Sequence, residues 1–205
     1  MHIEIKASEQ SISRRKLIFG VATNDAWYRV VLKVKGVKTR CPYYSRWLSM
    51  IARCYYDDGG GIREAYKGCS VCDEWLMFSN FRSWMKMERW EGLELDKDII
   101  KPGNKIYSPE SCCFVSKRLN GLLVGAIGAE SRYKGFRFIV ELGKYRAVIR
   151  DCGKSLYIGD FSTAKQARSE YVKMKCNFLK REIAKCDNPS VVAGLLSHIK
   201  IMKQE

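Results

Sequence analysis

Apolar residues recur along this chain with two different periods, and the switches between those periods mark its elements. Residues 17–35 read as two strands around Asn24-Asp25-Ala26, with Tyr28, Val30 and Leu32 alternating along the second. The period then becomes helical. Trp47, Met50, Ile51 and Cys54 share one face near residues 44–56, and Trp75, Phe78, Phe81 and Met85 share one face near 74–87. That spacing assigns the aromatics to core packing rather than to base stacking. It leaves Arg46, Arg53, Arg63 and Arg82 on solvated faces open to phosphates.

A short strand at Leu95-Asp96-Lys97-Asp98 follows, then a Gly103-Asn104 turn, a second strand and a helix start at Ser116 that brings Asn120 back towards the carboxylates. Gly121 to Gly128, with Ala129, reads as a linker. From Tyr133 to Phe161, three period-two runs separated by glycine turns predict an antiparallel meander. Ser162 or Thr163 caps a helix with Ala164, Ala167, Tyr171, Met174 and Phe178 on one face. After Asn188-Pro189 a last helix carries Val192, Leu195, Leu196 and Ile199. The class is α+β. The expected divisions are an N-terminal β segment (1–40), a central domain (41–127), a three-strand-plus-helix domain (128–187) and a terminal helix (188–205).

Alternation in the middle strand of the meander puts Tyr145, Ala147 and Ile149 on one face and Arg146, Val148 and Arg150 on the other. The second face, joined by Arg137, Lys154 and Tyr157, is a basic surface of the width that enters a major groove. A net charge of +15, spread over both halves of the chain, points to a long polyanion touched by both. Membrane association is the rival electrostatic reading, but nothing resembles a signal peptide or an apolar span of about 20 residues. Nine cysteines, an odd number, fit an intracellular protein with thiols or a metal better than a disulfide framework. Cys69 and Cys72 have thiolate-ligand spacing, and a structural zinc would add Cys41 and Cys112. Buried thiols are the alternative.

Two resemblances extend this reading. The run Leu95-Asp96-Lys97-Asp98, Gly103-Asn104-Lys105, Tyr107-Ser108-Pro109-Glu110-Ser111-Cys112-Cys113-Phe114-Val115 and Asn120 resembles phage-encoded HNH-type endonucleases of the homing kind. Upstream pieces such as Phe19-Gly20-Val21, Cys41-Pro42 and Tyr66 to Trp75 are similar too. The family uses a histidine as general base, an asparagine that orients it and a final His or Asn as metal ligand. Here Lys97 stands at the base position, Ser111 at the orienting one and Asn120 at the last. The resemblance therefore implies a Mg²⁺ or Mn²⁺ ion on Asp96 and Asn120, with Asp98 supplying a further oxygen or a base. Lys97, flanked by two aspartates, is read as a phosphate-facing or carboxylate-paired cation. The only histidines, His2 and His198, lie far from this finger in sequence.

The meander resembles DNA-binding domains of the ethylene-response-factor type through Tyr133-Lys134-Gly135-Phe136-Arg137, Gly143 to Asp151 and Tyr157 to Ala164. Lys134, Arg137, Arg150 and Tyr157 fall on DNA-contacting positions of that family. Val148 replaces an acidic contact, so the family's base preference does not carry over. The leading expectation is a monomeric, metal-dependent phage endonuclease acting on double-stranded DNA. The alternative is a non-catalytic factor on the same scaffold that binds DNA or a host protein, for instance against host defences.

Overall fold

A computed structural model describes residues 3–34, 36–57, 59–123 and 135–204. It is an α+β structure, and its contacts divide it into two compact units. The first comprises Met1–Glu91 with Lys105–Ser111, the second Gly92–Asn104 with Cys112–Glu205.

The first unit starts with a short helix, α1 (Glu9–Ser13), capped by the Ser8 hydroxyl, which accepts from the Ser11 amide. A hairpin follows, of β1 (Val31–Val34) and β2 (Val37–Arg40). Only the second of the two strands expected in residues 17–35 forms. Residues 18–22 fold back on themselves instead, with amide–carbonyl bonds between Ile18 and Ala22 and positive φ at Phe19 and Gly20, while the Arg15 guanidinium donates to the carbonyls of Asn24, Ala26 and Tyr28 in the segment that follows. Tyr28, Val30 and Leu32 are nevertheless all buried, as their alternation requires.

Helix α2 (Pro42–Tyr55) opens with proline in its first turn, where a missing N–H costs nothing. It buries Trp47, Met50, Ile51 and Cys54. Strand β3 (Ser70–Val71) and a 3₁₀ turn at Asp73–Leu76 lead into α3 (Phe78–Met87). Trp47 of α2 donates its indole N–H to the Trp75 carbonyl at 2.7 Å, so this large ring is buried without an orphaned donor. Trp75, Phe78, Phe81 and Met85 are buried as their spacing predicts.

In the second unit β4 (Glu94–Asp96) leads through a turn towards β5 (Ile106–Tyr107), which pairs in parallel with β3 and so belongs to the first unit. The chain returns as β6 (Cys113–Val115), antiparallel to β4, and enters α4 (Lys117–Leu123). Ser116 caps that helix, its hydroxyl accepting from the Leu119 amide. Strands β7 (Phe136–Ile139), β8 (Lys144–Asp151) and β9 (Lys154–Phe161) form the antiparallel meander. Thr163, rather than Ser162, caps α5 (Ala164–Ile183), in a reciprocal box with Gln166. Asn188 caps α6 (Pro189–Gln204) by accepting from the Ser190 and Val191 amides.

A single core joins Ile99, Cys113, Val115, Leu119 and Leu122 of the strand–loop–strand–helix finger to Ile149 of β8, Tyr171 and Leu179 of α5, and Leu195, Ile199 and Met202 of α6. The division expected at 127/128 therefore does not part the finger from the meander, and residues 188–205 share the same core. The buried stripe of α6 is also rotated from the expected one. It runs through Val191, Gly194, Leu195, His198, Ile199 and Met202, while Leu196 is exposed. Gly194 sets this rotation: a Cβ there would lie 2.1 Å from the Ile99 carbonyl oxygen, so only glycine lets α6 approach the finger turn this closely. No described helix is long and apolar enough to cross a membrane.

Candidate nucleic-acid interface

The finger's polar groups are mostly committed to its own turn. One Asp96 carboxylate oxygen accepts from the amides of Asp98 and Ile99, each at 2.8 Å, the local turn that aspartate forms readily. Lys97 Nζ donates to the Asp98 carboxylate and to the Asn104 carbonyl, both at 3.1 Å, and the Asn104 side chain returns a bond to the Lys97 carbonyl at 2.7 Å. Lys97 is thus carboxylate-paired, one of the two roles expected for it. The side-chain amide of Asn120 donates to Glu94 at 2.9 Å. Glu94 had no place in the sequence reading, although it lies two residues before Asp96 on the same face of β4. Ser111 is buried and its hydroxyl donates to the Ile106 carbonyl.

Burial, reinforced by the neighbouring Asp98 charge, pushes the Asp96 carboxyl up to about 6, against the pull of its two amide bonds. Asp96 is engaged through one carboxylate oxygen by amides of its own turn, Asn120 through its amide nitrogen by Glu94, and the Lys97 ammonium lies against Asp98. Among the described residues, no three His, Cys, Asp or Glu side chains gather closely enough to hold a metal. All nine cysteines are thiols. Cys41 lies 3.3 Å from the Tyr28 hydroxyl, Cys69 and Cys112 are buried, and burial pushes the half-buried Cys72 thiol up.

The sequence placed His198 far from the finger, and here the fold differs. The His198 ring reaches the Asp98 carbonyl at 3.1 Å from Nε2. A carbonyl only accepts, so Nε2 carries the proton. The other ring nitrogen, Nδ1, is buried without a partner, and burial holds the imidazole below its ordinary pKa, in the neutral form. With the residue 4% exposed, this histidine pins the turn to α6 instead of facing a substrate.

The meander presents its expected basic face. Ala147 and Ile149 are buried on the core side, whereas Arg150 is exposed. The register sets Arg137 of β7 beside Arg146 of β8 and Asp160 of β9, and next to them Val148 beside Tyr157 and Arg150 beside Ser155. Arg146 is not a bare cation. Asp160 grips its guanidinium at two points, both 2.8 Å, and Tyr157 lies under it with 5.5 Å from the guanidinium carbon to the ring centre. That pairing holds the Asp160 carboxyl below its ordinary pKa. Tyr157 itself is 61% exposed, so its ring is both steered and available. Arg137 and Arg150 are exposed on either side of this pair.

Lys154 falls elsewhere. It pairs with Asp151 across the hairpin, and that position has the parity of Ile149, which assigns it to the opposite face of the sheet from Arg150. Lys134 lies outside the described residues. No family model matches this chain, and no solved structure does. The assignment of the site therefore stands on its own geometry. Three strands spaced about 4.8 Å apart present a face roughly 10 Å across, against a major groove about 12 Å wide. A ridge bearing Arg137, Arg150 and Tyr157 matches the contact types that fix a protein on duplex DNA: charge for phosphates, fork-shaped donors for guanine edges, and an amphipathic ring.

Proposed function

We propose that this protein binds double-stranded DNA through the outer face of the β7–β8–β9 sheet and does not cut it. The observation that carries the reading is the arrangement of that face: Arg137 and Arg150 exposed beside Tyr157, with Arg146 oriented by Asp160 on a sheet whose other side buries Ala147 and Ile149. The basic balance of the whole chain supplies the long-range attraction. The finger serves as a structural element. Asp96 accepts from amides of its own turn, Asn120 pairs with Glu94, and the general base of the similar endonucleases is replaced by a lysine that is itself ion-paired.

The test is fluorescence anisotropy on labelled duplex DNA beside a plasmid-nicking assay in Mg²⁺ and Mn²⁺. Binding should weaken by orders of magnitude between about 50 and 200 mM salt, the signature of counterion release. Arg137→Ala and Arg150→Ala should each cost about 1–3 kcal/mol if their forks reach base edges. Wild-type affinity in both variants removes the sheet from the interface. Nicking that disappears in Asp96→Ala or Asn120→Ala restores the endonuclease reading and overturns this one.

A further inference from the structure

Beside the DNA-facing ridge, the second unit contains a cleft of about 810 Å³ where α4 runs past the part of β8 that β7 does not cover. Its size falls within the range of small-molecule sites. Tyr171 and Lys175 of α5 line it, and Lys117, Arg118, Arg137 and Arg150 bring further positive charge to it. Lys175 is the unusual member: it sits on the buried face of its helix, only 2% exposed. Its ammonium donates to the Tyr171 hydroxyl at 3.0 Å and lies over that ring, 5.3 Å from its centre. Among the described residues no carboxylate comes within 4.0 Å of it. An ammonium has three donors, and a buried cation with no counter-ion is costly unless something anionic completes it.

The acids of this region are already engaged. Asp151 and Glu182 both pair with Arg118, which fastens α4 to β8 and to α5. The other titratable groups around Lys175 are Arg168 and Cys176 on its own helix and the neutral His198 on α6. No negative charge is left over from them. Burial, with Arg168 adding to it, brings the Lys175 ammonium down to about 8.

We propose that this cleft binds a phosphate monoester, whose dianion supplies the counter-ion that Lys175 does not find among the described residues, with Lys117 and Arg150 completing the charge at the rim. Two sources present that chemistry, a free mononucleotide and the terminal phosphate of a DNA end. The proposal shares Arg150 with the sheet reading but is tested apart from it, because inorganic phosphate and a mononucleotide offer no groove. Binding draws a proton to Lys175 wherever its amine is partly neutral, so the affinity falls as the pH rises above about 8.

Isothermal titration calorimetry on the full chain tests this at pH about 8.5, in two buffers of different ionisation enthalpy. The probes are inorganic phosphate, deoxyadenosine monophosphate, and duplex DNA with and without terminal phosphates. Phosphate and the mononucleotide should bind with proton uptake, and Lys175→Met should weaken both by about 10- to 100-fold and abolish the uptake. Lys117→Ala should weaken binding but leave the uptake, a readout that a merely structural lysine would not give. Competition by the phosphorylated duplex but not by its unphosphorylated twin assigns the site to DNA ends; no competition assigns it to free nucleotides. Absence of binding to every phosphate probe, or unchanged affinity and proton uptake in Lys175→Met, overturns the proposal and leaves DNA binding by the sheet untouched.

Discussion

Gly194→Ala turns the packing of α6 into a test of sign. In an open helix the exchange stabilises by about 0.5–1 kcal/mol, because alanine has less backbone freedom to lose on folding. At this position the new Cβ meets the Ile99 carbonyl oxygen at 2.1 Å, with the Ile99 carbonyl carbon and Ile100 Cα at 2.9 Å. All three are backbone atoms, so no side chain can swing away. Relief of an overlap of more than 1 Å means that α6 or the finger turn must shift, and overpacking of this kind costs about 1–3 kcal/mol. Moving α6 also strains the His198–Asp98 hydrogen bond, worth about 1 kcal/mol, and loosens Leu195, Ile199 and Met202 in the shared core. After the gain in helix propensity is subtracted, the expected net effect is destabilisation by about 1–3.5 kcal/mol. Urea denaturation followed by circular dichroism measures it. Gly121→Ala in α4 is the internal control, since its Cβ would meet nothing within 4 Å and the variant should gain about 0.5–1 kcal/mol. If Gly194→Ala matches or exceeds the wild-type midpoint, the close approach of α6 to the finger turn is wrong.

Other expectations follow from single contacts. Gly135 has φ +78° and its Cβ would fall 2.1 Å from the Tyr171 ring, so Gly135→Ala should cost about 2 kcal/mol or more in the same unfolding assay. Asp96 carries a folded pKa of about 6, above its unfolded value, and therefore takes up a proton on folding. Its contribution is greatest below about pH 4 and is lost as the pH rises through 6, so Asp96→Asn should flatten the stability profile between pH 4 and 6 and be neutral or stabilising at pH 7.5 if its amide oxygen keeps the turn. Lys175 has the opposite sign, a cation with a depressed pKa; Lys175→Met should remove a gain in stability that wild type shows as pH rises from about 8 towards 10.5.

Elements built on unbroken periodicity were legible in the sequence, because local spacing alone determines them. Trp47 to Cys54, Trp75 to Met85 and the alternation of Ala147 and Ile149 against Arg150 all predict the burial that is found. Contacts between segments distant along the chain were not legible. Arg15 gathers the carbonyls of Asn24, Ala26 and Tyr28, and nothing in its neighbours announces that role. His198 reaches Asp98 only because Gly194, one turn earlier, lets the helix approach. Lys175 had a signal available: it lies four residues after Tyr171 on the apolar face of α5, where a lysine contradicts the stripe around it. At the finger, residue identity pointed to a metal site, but whether an aspartate faces an ion or its own turn depends on where the next amides fall, and composition does not specify that.

The parallel pairing of β3 with β5 has a consequence for how the polypeptide comes into being. Because Lys105–Ser111 belongs with the first unit while its flanking stretches belong with the second, neither unit is one continuous piece of chain. During synthesis, the N-terminal unit must wait for residue 107 to leave the ribosome before its last strand is in place. By then the first strand of the second unit has already emerged and lacks its β6 partner. A fragment ending at residue 91 would expose the edge of β3, and one beginning at residue 92 would carry β5 with nothing to pair. Any dissection of this protein should thus treat residue 111 as the earliest workable terminus for the first unit, and the finger as the point where the two histories are tied together.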